Sequence, residues 1–432
     1  MPRGPRKLAS ECGATSLTHY GGVYLLHRFL SRIGFKDGMA RQVRVTQRNH
    51  RYPVGELLLA LLDPIILGLE RIETTWLLQQ NGVFQYLTGL PSYPNPSTLR
   101  RFLLRLAPAA LPDLRRLHDR LAARVRARSP RRTRLLFDLD STVVAVDGNQ
   151  EGAQGGYNPR KRGRPSYHPL LCCEGHTKDC WHGELRPGDV PTASGILTFL
   201  PACFTKVPRG VRIFVRGDKG FYDHKTIEWL EARRARFVIV ARLTQPIKRR
   251  LGQLEYTRVS RGVEAAECRY QPTRGPRAYR FVVIRRPFPD EPTEQLTLFQ
   301  LGQYAYQVLV TNLPRRPLTV GRFSNARAGI ERIIRALKGD YPLGKIPSHH
   351  FAANEVYFHL LLLAYNLVNW FKRLCLPPDY QRATLETLRH RILLMPAQLL
   401  RTGNRPRLAL PARGPQAATW RHALQRIEPL NL

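Results

Sequence analysis

Arg134-Leu-Leu-Phe-Asp-Leu-Asp-Ser-Thr142 reads as a buried strand that delivers Asp138 and Asp140 to its carboxyl end. The two aspartates are two positions apart, so on a strand they share a face. Val211-Arg-Ile-Phe-Val-Arg-Gly-Asp218-Lys-Gly-Phe-Tyr222 repeats the device: a second strand ends in Asp218, and Gly220 permits a sharp turn just beyond it. In an open α/β sheet, sites form at the carboxyl ends of the strands. Further on, Arg327 and Glu331 are spaced i to i+4, and Glu331 and Lys338 i to i+7, which puts all three on one helical stripe. A surface salt-bridge ladder gives the same stripe, so its meaning depends on the two strands.

Carboxylates converging in this way are what a phosphodiester reaction needs. Both the attacking and the leaving oxygen carry negative charge, and two divalent ions can clamp both. Such ions require several hard oxygen ligands at one point. Asp140 is the first choice for the ligand on its strand. Asp138 is either a residue that braces the ligand beside it or an edge residue, with a further ligand as the third alternative.

The rest of the composition agrees with an anionic partner. The net charge is +37, from 69 Lys and Arg against 32 Asp and Glu, an excess that attracts nucleic acid. Nothing at the start resembles a secretory signal, since Met1-Pro-Arg-Gly-Pro-Arg-Lys7 has no apolar core. The longest apolar runs, Leu57 to Leu69 and Val356 to Val368, fall short of a membrane span and read as core helices. Seven scattered Cys suggest a reducing cytoplasm.

Along the chain, residues 1–130 read as a helical, Arg-rich, DNA-binding region. There Asn95-Pro96 caps a helix over Ser97 to Leu106 that alternates Arg100, Arg101 and Arg105 with Leu99, Phe102, Leu103 and Leu106. The pattern fits the second helix of a helix-turn-helix unit, and equally a plain amphipathic helix with a basic face. Residues 131–242 alternate strand and helix, which predicts a mixed sheet flanked by helices. Residues 243–315 are nearly all strand-like and read as an all-β insertion, after which helix resumes near Ala326 and the core continues over 316–376. The end, 377–432, reads as helical and basic.

In this order the motifs resemble a known family. Asp138-Leu-Asp-Ser-Thr142, Gly156-Tyr-Asn-Pro-Arg-Lys-Arg-Gly-Arg-Pro-Ser-Tyr-His-Pro169, Arg186-Pro-Gly188, Arg216-Gly-Asp-Lys-Gly-Phe-Tyr222 and Val310-Thr-Asn312 come first. Arg327, Glu331, Lys338, Asn354 and Ala364-Tyr-Asn-Leu367 follow. Together they resemble DDE transposases of bacterial insertion sequences, in the branch with a Tyr-Arg-Glu-Lys signature and a β-rich insert before the final Glu. The resemblance implies an RNase H-like catalytic domain with Asp140, Asp218 and Glu331 as a triad holding two Mg²⁺ ions, for which Mn²⁺ can substitute. It implies cut-and-paste chemistry on the inverted-repeat ends of an element, transfer of the 3′-hydroxyls into target DNA, and a homodimer assembled on DNA in a bacterial cytoplasm. The helical stripe itself would let Glu331 complete the metal site while Arg327 and Lys338 grip the phosphates on either side. The signature Tyr position is Ser324 here, with Phe323 adjacent but out of register. Two rivals remain open: a metal-dependent nuclease that does not join strands, and a domesticated DNA-binding protein without catalysis.

Other features have plainer readings beside the functional ones. Arg160-Lys161-Arg162-Gly-Arg164-Pro165 is a basic loop that would touch DNA either in a minor groove or as a hairpin tip near the triad, flanked by Tyr157 and Tyr167 as stacking or core aromatics. Lys219 would point to DNA backbone or solvent. His168 has no evident partner in the sequence. Cys172, Cys173, His176, Cys180 and His182 lack a proper zinc spacing.

Overall fold

The computed structural model describes residues 13–46, 51–156, 163–272, 275, 277–287, 299–301, 303–402, 405–411 and 413–431. They form two compact units. One is built from the described parts of Met1–Ser129 and Ala336–Leu432, the other from those of Pro130–Arg335.

The second unit is organised by one sheet of ten strands among the described residues. In chain order these are β1 (Arg134–Ser141), β2 (Leu170–Glu174), β3 (Cys180–Glu184), β4 (Arg212–Gly217), β5 (Arg236–Val240), β6 (Thr257–Ser260), β7 (Val263–Tyr270), β8 (Tyr279–Pro287), β9 (Phe299–Leu301) and β10 (Tyr304–Thr311). Their order across the sheet is β6-β7-β8-β10-β5-β4-β1-β2-β3, with β9 pairing β10. The meander β1-β2-β3 is antiparallel, whereas β4 and β5 run parallel to β1. The strand-rich stretch within 243–315 therefore does not stand apart. Through β10, which pairs antiparallel with β5, its strands prolong the same sheet.

Side-chain alternation gives the sheet two different faces. Phe137 and Leu139 of β1, Phe237 and Ile239 of β5, and Val308 and Val310 of β10 enter one core with α1 (Ile196–Phe204), α2 (His224–Ala232) and α3 (Gln245–Leu251). Val238, Val282, Ile284 and Leu309 enter the other, where Val320 and Phe323 of α4 (Pro317–Asn325) pack. Phe214 of β4 belongs to this second face, and by the same period so do Arg216, Asp138 and Asp140. Helix thus resumes at Pro317, earlier than the expected Ala326, and α5 (Ala328–Gly339) follows α4 after a short turn. Gly321 lets α4 pack closely on the sheet, since a Cβ there would lie 2.1 Å from Ile284 Cδ1 and would displace that methyl.

Three short strands, Val144–Ala145, Gln154–Gly155 and Pro165–Tyr167, form a small sheet beyond β1. The loop residues Tyr157, Arg160, Lys161 and Arg162 lie outside the described residues. Arg186 explains its motif structurally: it is buried, and its guanidinium donates to the carbonyls of His168 (3.1 Å) and Ser194 (2.8 Å). Gly188 lets backbones meet, since a Cβ would stand 2.1 Å from the Ser166 carbonyl oxygen.

The first unit is mainly helical. The helix expected over Ser97 to Leu106 runs on as Pro96–Ala127, capped by the Asn95 side chain. Leu99, Phe102, Leu103 and Leu106 are buried and Arg100, Arg101 and Arg105 exposed, so the face assignment holds while the length does not. It packs on Phe351–Cys375, with Asn366 Nδ2 2.6 Å from His118 Nε2 and Arg115 donating to Glu355 (3.0 Å). Phe351–Cys375 is long and apolar enough to cross a membrane, but 78% of its apolar window is buried inside the protein. Ala397–Thr402 and Arg405–Ala409 form a hairpin in the terminal stretch expected to be helical, and Leu17–Thr18 pairs with it.

Phe137 is wholly buried beside Trp181 and Phe204. Phe137→Ala should lower the unfolding free energy by about 3–5 kcal/mol in urea denaturation.

Candidate active site

The parallel pairing of β1 with β4 sets Asp138 opposite Arg216. Two residues further along each strand, Asp140 and Asp218 reach the same carboxyl-terminal edge. Asp140 is buried, and its Oδ1 accepts the Ser141 N–H at 2.9 Å. Asp218 is half-buried, and its Oδ1 accepts the Gly220 N–H at 2.8 Å, which folds the chain into the turn Lys219–Phe221. Residue 220 must be small, because a Cβ would stand 2.8 Å from Thr192 Cγ2 and 2.9 Å from Asp218 Oδ1.

The third carboxylate arrives on α5. Glu331 is exposed in its first turn, and Arg327 joins it to the strands. Arg327 donates from Nη1 to Asp140 Oδ2 at 3.0 Å, and its Nη2 lies 3.4 Å from Glu331 Oε1. Its side chain is only 11% exposed, so this arginine sits among the carboxylates rather than out on the surface. Burial pushes the Asp140 carboxyl up to about 6; the Arg327 charge opposes that rise and the neighbouring Asp218 charge adds to it.

Asp138 has a different fate. Arg216 holds both its oxygens, Nε to Oδ1 at 2.6 Å and Nη2 to Oδ2 at 2.8 Å, and both side chains are almost fully buried. With neither oxygen turned to the edge, Asp138 braces the strand instead of serving as the further ligand considered for it. Tyr167 is fully buried with its hydroxyl donating to the Glu151 carbonyl at 2.6 Å, so it is a core aromatic. Arg164 is ion-paired with Asp147. Lys219 is exposed beside Asp218, while Arg242 Nε donates to its carbonyl at 3.1 Å. Lys338 is exposed in the last turn of α5, within the chain segment that belongs to the first unit. Arg100 pairs with Glu73 in the first unit.

The structure gives His168 the partners that the sequence did not show. His168 Nδ1 is 2.8 Å from the Val190 carbonyl, which can only accept, so that nitrogen carries the proton. Nε2 then accepts the Ser141 hydroxyl at 3.0 Å, and Ser141 Oγ is 3.1 Å from Thr192 Oγ1. Burial holds the imidazole below its ordinary value and hence neutral. The chain His168–Ser141–Thr192 buttresses the backbone beside Asp140 and the turn after Asp218. Cys173 and Cys180 face each other across β2 and β3 with sulfurs 3.9 Å apart, and Cys172 turns to the opposite face with Cys203.

Hard carboxylate oxygens at one sheet edge suit a divalent cation. Among the described residues, no three His, Cys, Asp or Glu side chains are grouped to hold a metal ion, and the Arg327 guanidinium occupies the space between Asp140 and Glu331. Asp140, Asp218 and Glu331 carry the hard oxygens that such an ion takes, and in this structure Arg327 bridges Asp140 and Glu331.

The Asp140 shift sets a pH dependence in metal-free protein. Its folded value, about 6, lies above the ordinary 3.8. The contribution is therefore fully present below about pH 4 and is lost as the pH rises through about 6. In EDTA, the wild-type stability measured against Asp140→Asn should fall by about 2–3 kcal/mol between pH 4 and 7.

Among curated proteins no relative matches this sequence. Among solved structures, the cryo-EM structure of the piggyBac transposase synaptic complex with hairpin DNA matches over 96% of this chain and 83% of that chain, at 13% identity and a TM-score of 0.47. The family described as "Transposase DDE domain group 1" matches residues 4–432, nearly the whole sequence, and the chain belongs to it.

Proposed function

We propose that this member of the DDE transposase family binds the inverted-repeat ends of a mobile element, cuts them and joins the freed 3′-hydroxyls to target DNA. The observation that carries the reading is the meeting of Asp140 and Asp218 at the ends of adjacent parallel strands, with Arg327 linking Asp140 to Glu331. The strand order β3-β2-β1-β4-β5 supports an RNase H-like core. In this reading Asp140, Asp218 and Glu331 hold two divalent ions, Mg²⁺ or Mn²⁺, which would supply Lewis-acid stabilisation to the attacking and leaving oxygens.

The protein's own residues do the rest. Arg327, released from the carboxylates, is placed to meet a backbone phosphate, with Lys338, Lys219, Arg164 and the loop Arg160, Lys161 and Arg162 as further phosphate contacts. Arg100, Arg101 and Arg105 present a basic face on the N-terminal helical region, which is assigned to recognition of the ends. The strands of 243–315 help seat the DNA. The net charge of +37 draws the duplex in, and between Glu386 and Glu428 the sequence has no acidic residue at all. Both ends must be cut together, so the working form is a homodimer on DNA in the cytoplasm.

The test is a plasmid carrying both flanks of the gene, incubated with protein and Mg²⁺, with breaks and joints mapped to the nucleotide. Paired breaks at inverted repeats and joined products are expected. Asp218→Asn should remove both while leaving duplex binding in EDTA intact. Breaks without joining would make the protein a nuclease, and binding without breaks a DNA-binding remnant.

Binding to the same duplex should weaken about a thousandfold between 50 and 200 mM salt. A flat dependence would rule out extended phosphate contact.

A further inference from the structure

One step inward from the carboxylates, the same two strands hold a second charged cluster. Asp138 precedes Asp140 by two residues on β1, and Arg216 precedes Asp218 by two on β4. Each pair shares a strand face. The Arg216 guanidinium spends two of its donors on Asp138. Its third, Nη1, donates to the Phe323 carbonyl at 2.8 Å, and its carbon lies 5.1 Å from the centre of the Phe323 ring. Phe323 also packs edge-on to Phe214 of β4, with ring centres 6.2 Å apart.

Phe323 lies in the last turn of α4, where carbonyls lack partners further along the helix. The amide that would normally bond it, that of Arg327, instead donates to the Ser324 carbonyl at 3.0 Å. Arg216 fills the vacancy, and a cation at a helix C-terminus also suits the helix dipole. From this fixed point the chain needs only four residues to reach Arg327 and eight to reach Glu331. A single guanidinium therefore joins the strand of Asp140, the strand of Asp218 and the helix end that leads to Glu331.

We propose that Asp138, Arg216 and the Phe323 carbonyl form a latch of positioning residues that sets where Glu331 stands relative to Asp140 and Asp218. The proposal rests on the triad assigned above. A buried ion pair is a weak source of stability, and apolar residues of similar volume replace such pairs at little cost. Its distinctive contribution here is geometric, because no apolar pair could hold the Phe323 carbonyl.

That distinction supplies the experiment. The full-length chain is prepared as wild type, Asp138→Asn, the double variant Asp138→Leu/Arg216→Met, Arg216→Lys and Asp218→Asn. Mn²⁺ binding is followed by electron paramagnetic resonance in the absence of DNA, beside thermal melting. Asp138→Asn should melt earlier, and the apolar double variant should regain most of that loss. The latch predicts that Mn²⁺ affinity in the double variant stays about 10- to 100-fold below wild type, despite its restored stability. Arg216→Lys keeps a charge beside Asp138 but cannot span to Phe323, and should show the same weakening, which provides the reading should the double variant not fold. Mn²⁺ affinity within twofold of wild type in either folded variant, with Asp218→Asn clearly weakened, would overturn the latch and leave the triad standing. Unchanged affinity in Asp218→Asn as well would overturn the triad, and the latch with it.

Discussion

The parallel pairing of β1 with β4, in the register that sets Asp138 against Arg216, is the constraint on which the rest depends. A parallel pair has both carboxyl ends at one edge, so strands that each end in an acid bring those acids together. Two carboxylates in partial burial repel, and the raised value of Asp140 reflects both its burial and its neighbour. An antiparallel pair would have sent Asp140 and Asp218 to opposite edges and removed the conflict. The fold keeps it and answers it with Arg327, whose guanidinium reaches Asp140 and Glu331 together.

Two arginines thus treat two carboxylates in opposite ways. Arg216 and Asp138 are sealed between the sheet and α4, bidentate and at most 3% exposed, an arrangement with no freedom to exchange partners. Arg327 makes single contacts at 3.0 and 3.4 Å, with Glu331 open to solvent. Of these contacts only the one to Glu331 lies at an exposed side chain, where an ion pair is weak. Arg216 is held by three hydrogen bonds, whereas Arg327 is shared between two carboxylates. Burial and the number of contacts separate the two pairs, although Asp138 and Asp140 are only two residues apart on β1.

Much of this was legible in the sequence because strand patterns are local. Val263–Tyr270 and Tyr304–Thr311 are strands within the stretch that reads as strand-like, and the acid-ended strands were read from apolar runs stopped by Asp. What failed was set by distant partners. Pro317–Asn325 has an internal Gly321 and weak helical signals, and its reason to form is packing on Ile284 and Val282. Pro108 and Pro112 argue for a helix end after Leu106. Yet Leu114, Leu117, Leu121 and Val125 stay in phase and buried, so tertiary contact carries the helix to Ala127. The hairpin at Ala397–Thr402 and Arg405–Ala409 gains its third strand from Leu17–Thr18, at the other end of the chain. No window of local sequence contains that partner. Arg216 was passed over for the same reason: nothing near it in sequence shows that Asp138 and Phe323 both lie within reach.

The departure at Ser324 follows from this packing. Residue 324 is 6% exposed, in the same helix end whose neighbouring carbonyl Arg216 holds. A phenol in that position would have to displace its close-packed surroundings before it could reach solvent. Phe323, the one aromatic adjacent, is already committed to Phe214 and Arg216. The aromatic bulk at this turn is therefore spent inward, on fixing the helix to the sheet. Arg327, three residues further on, is the side chain of this turn that reaches the carboxylates, contacting Asp140 and Glu331 together.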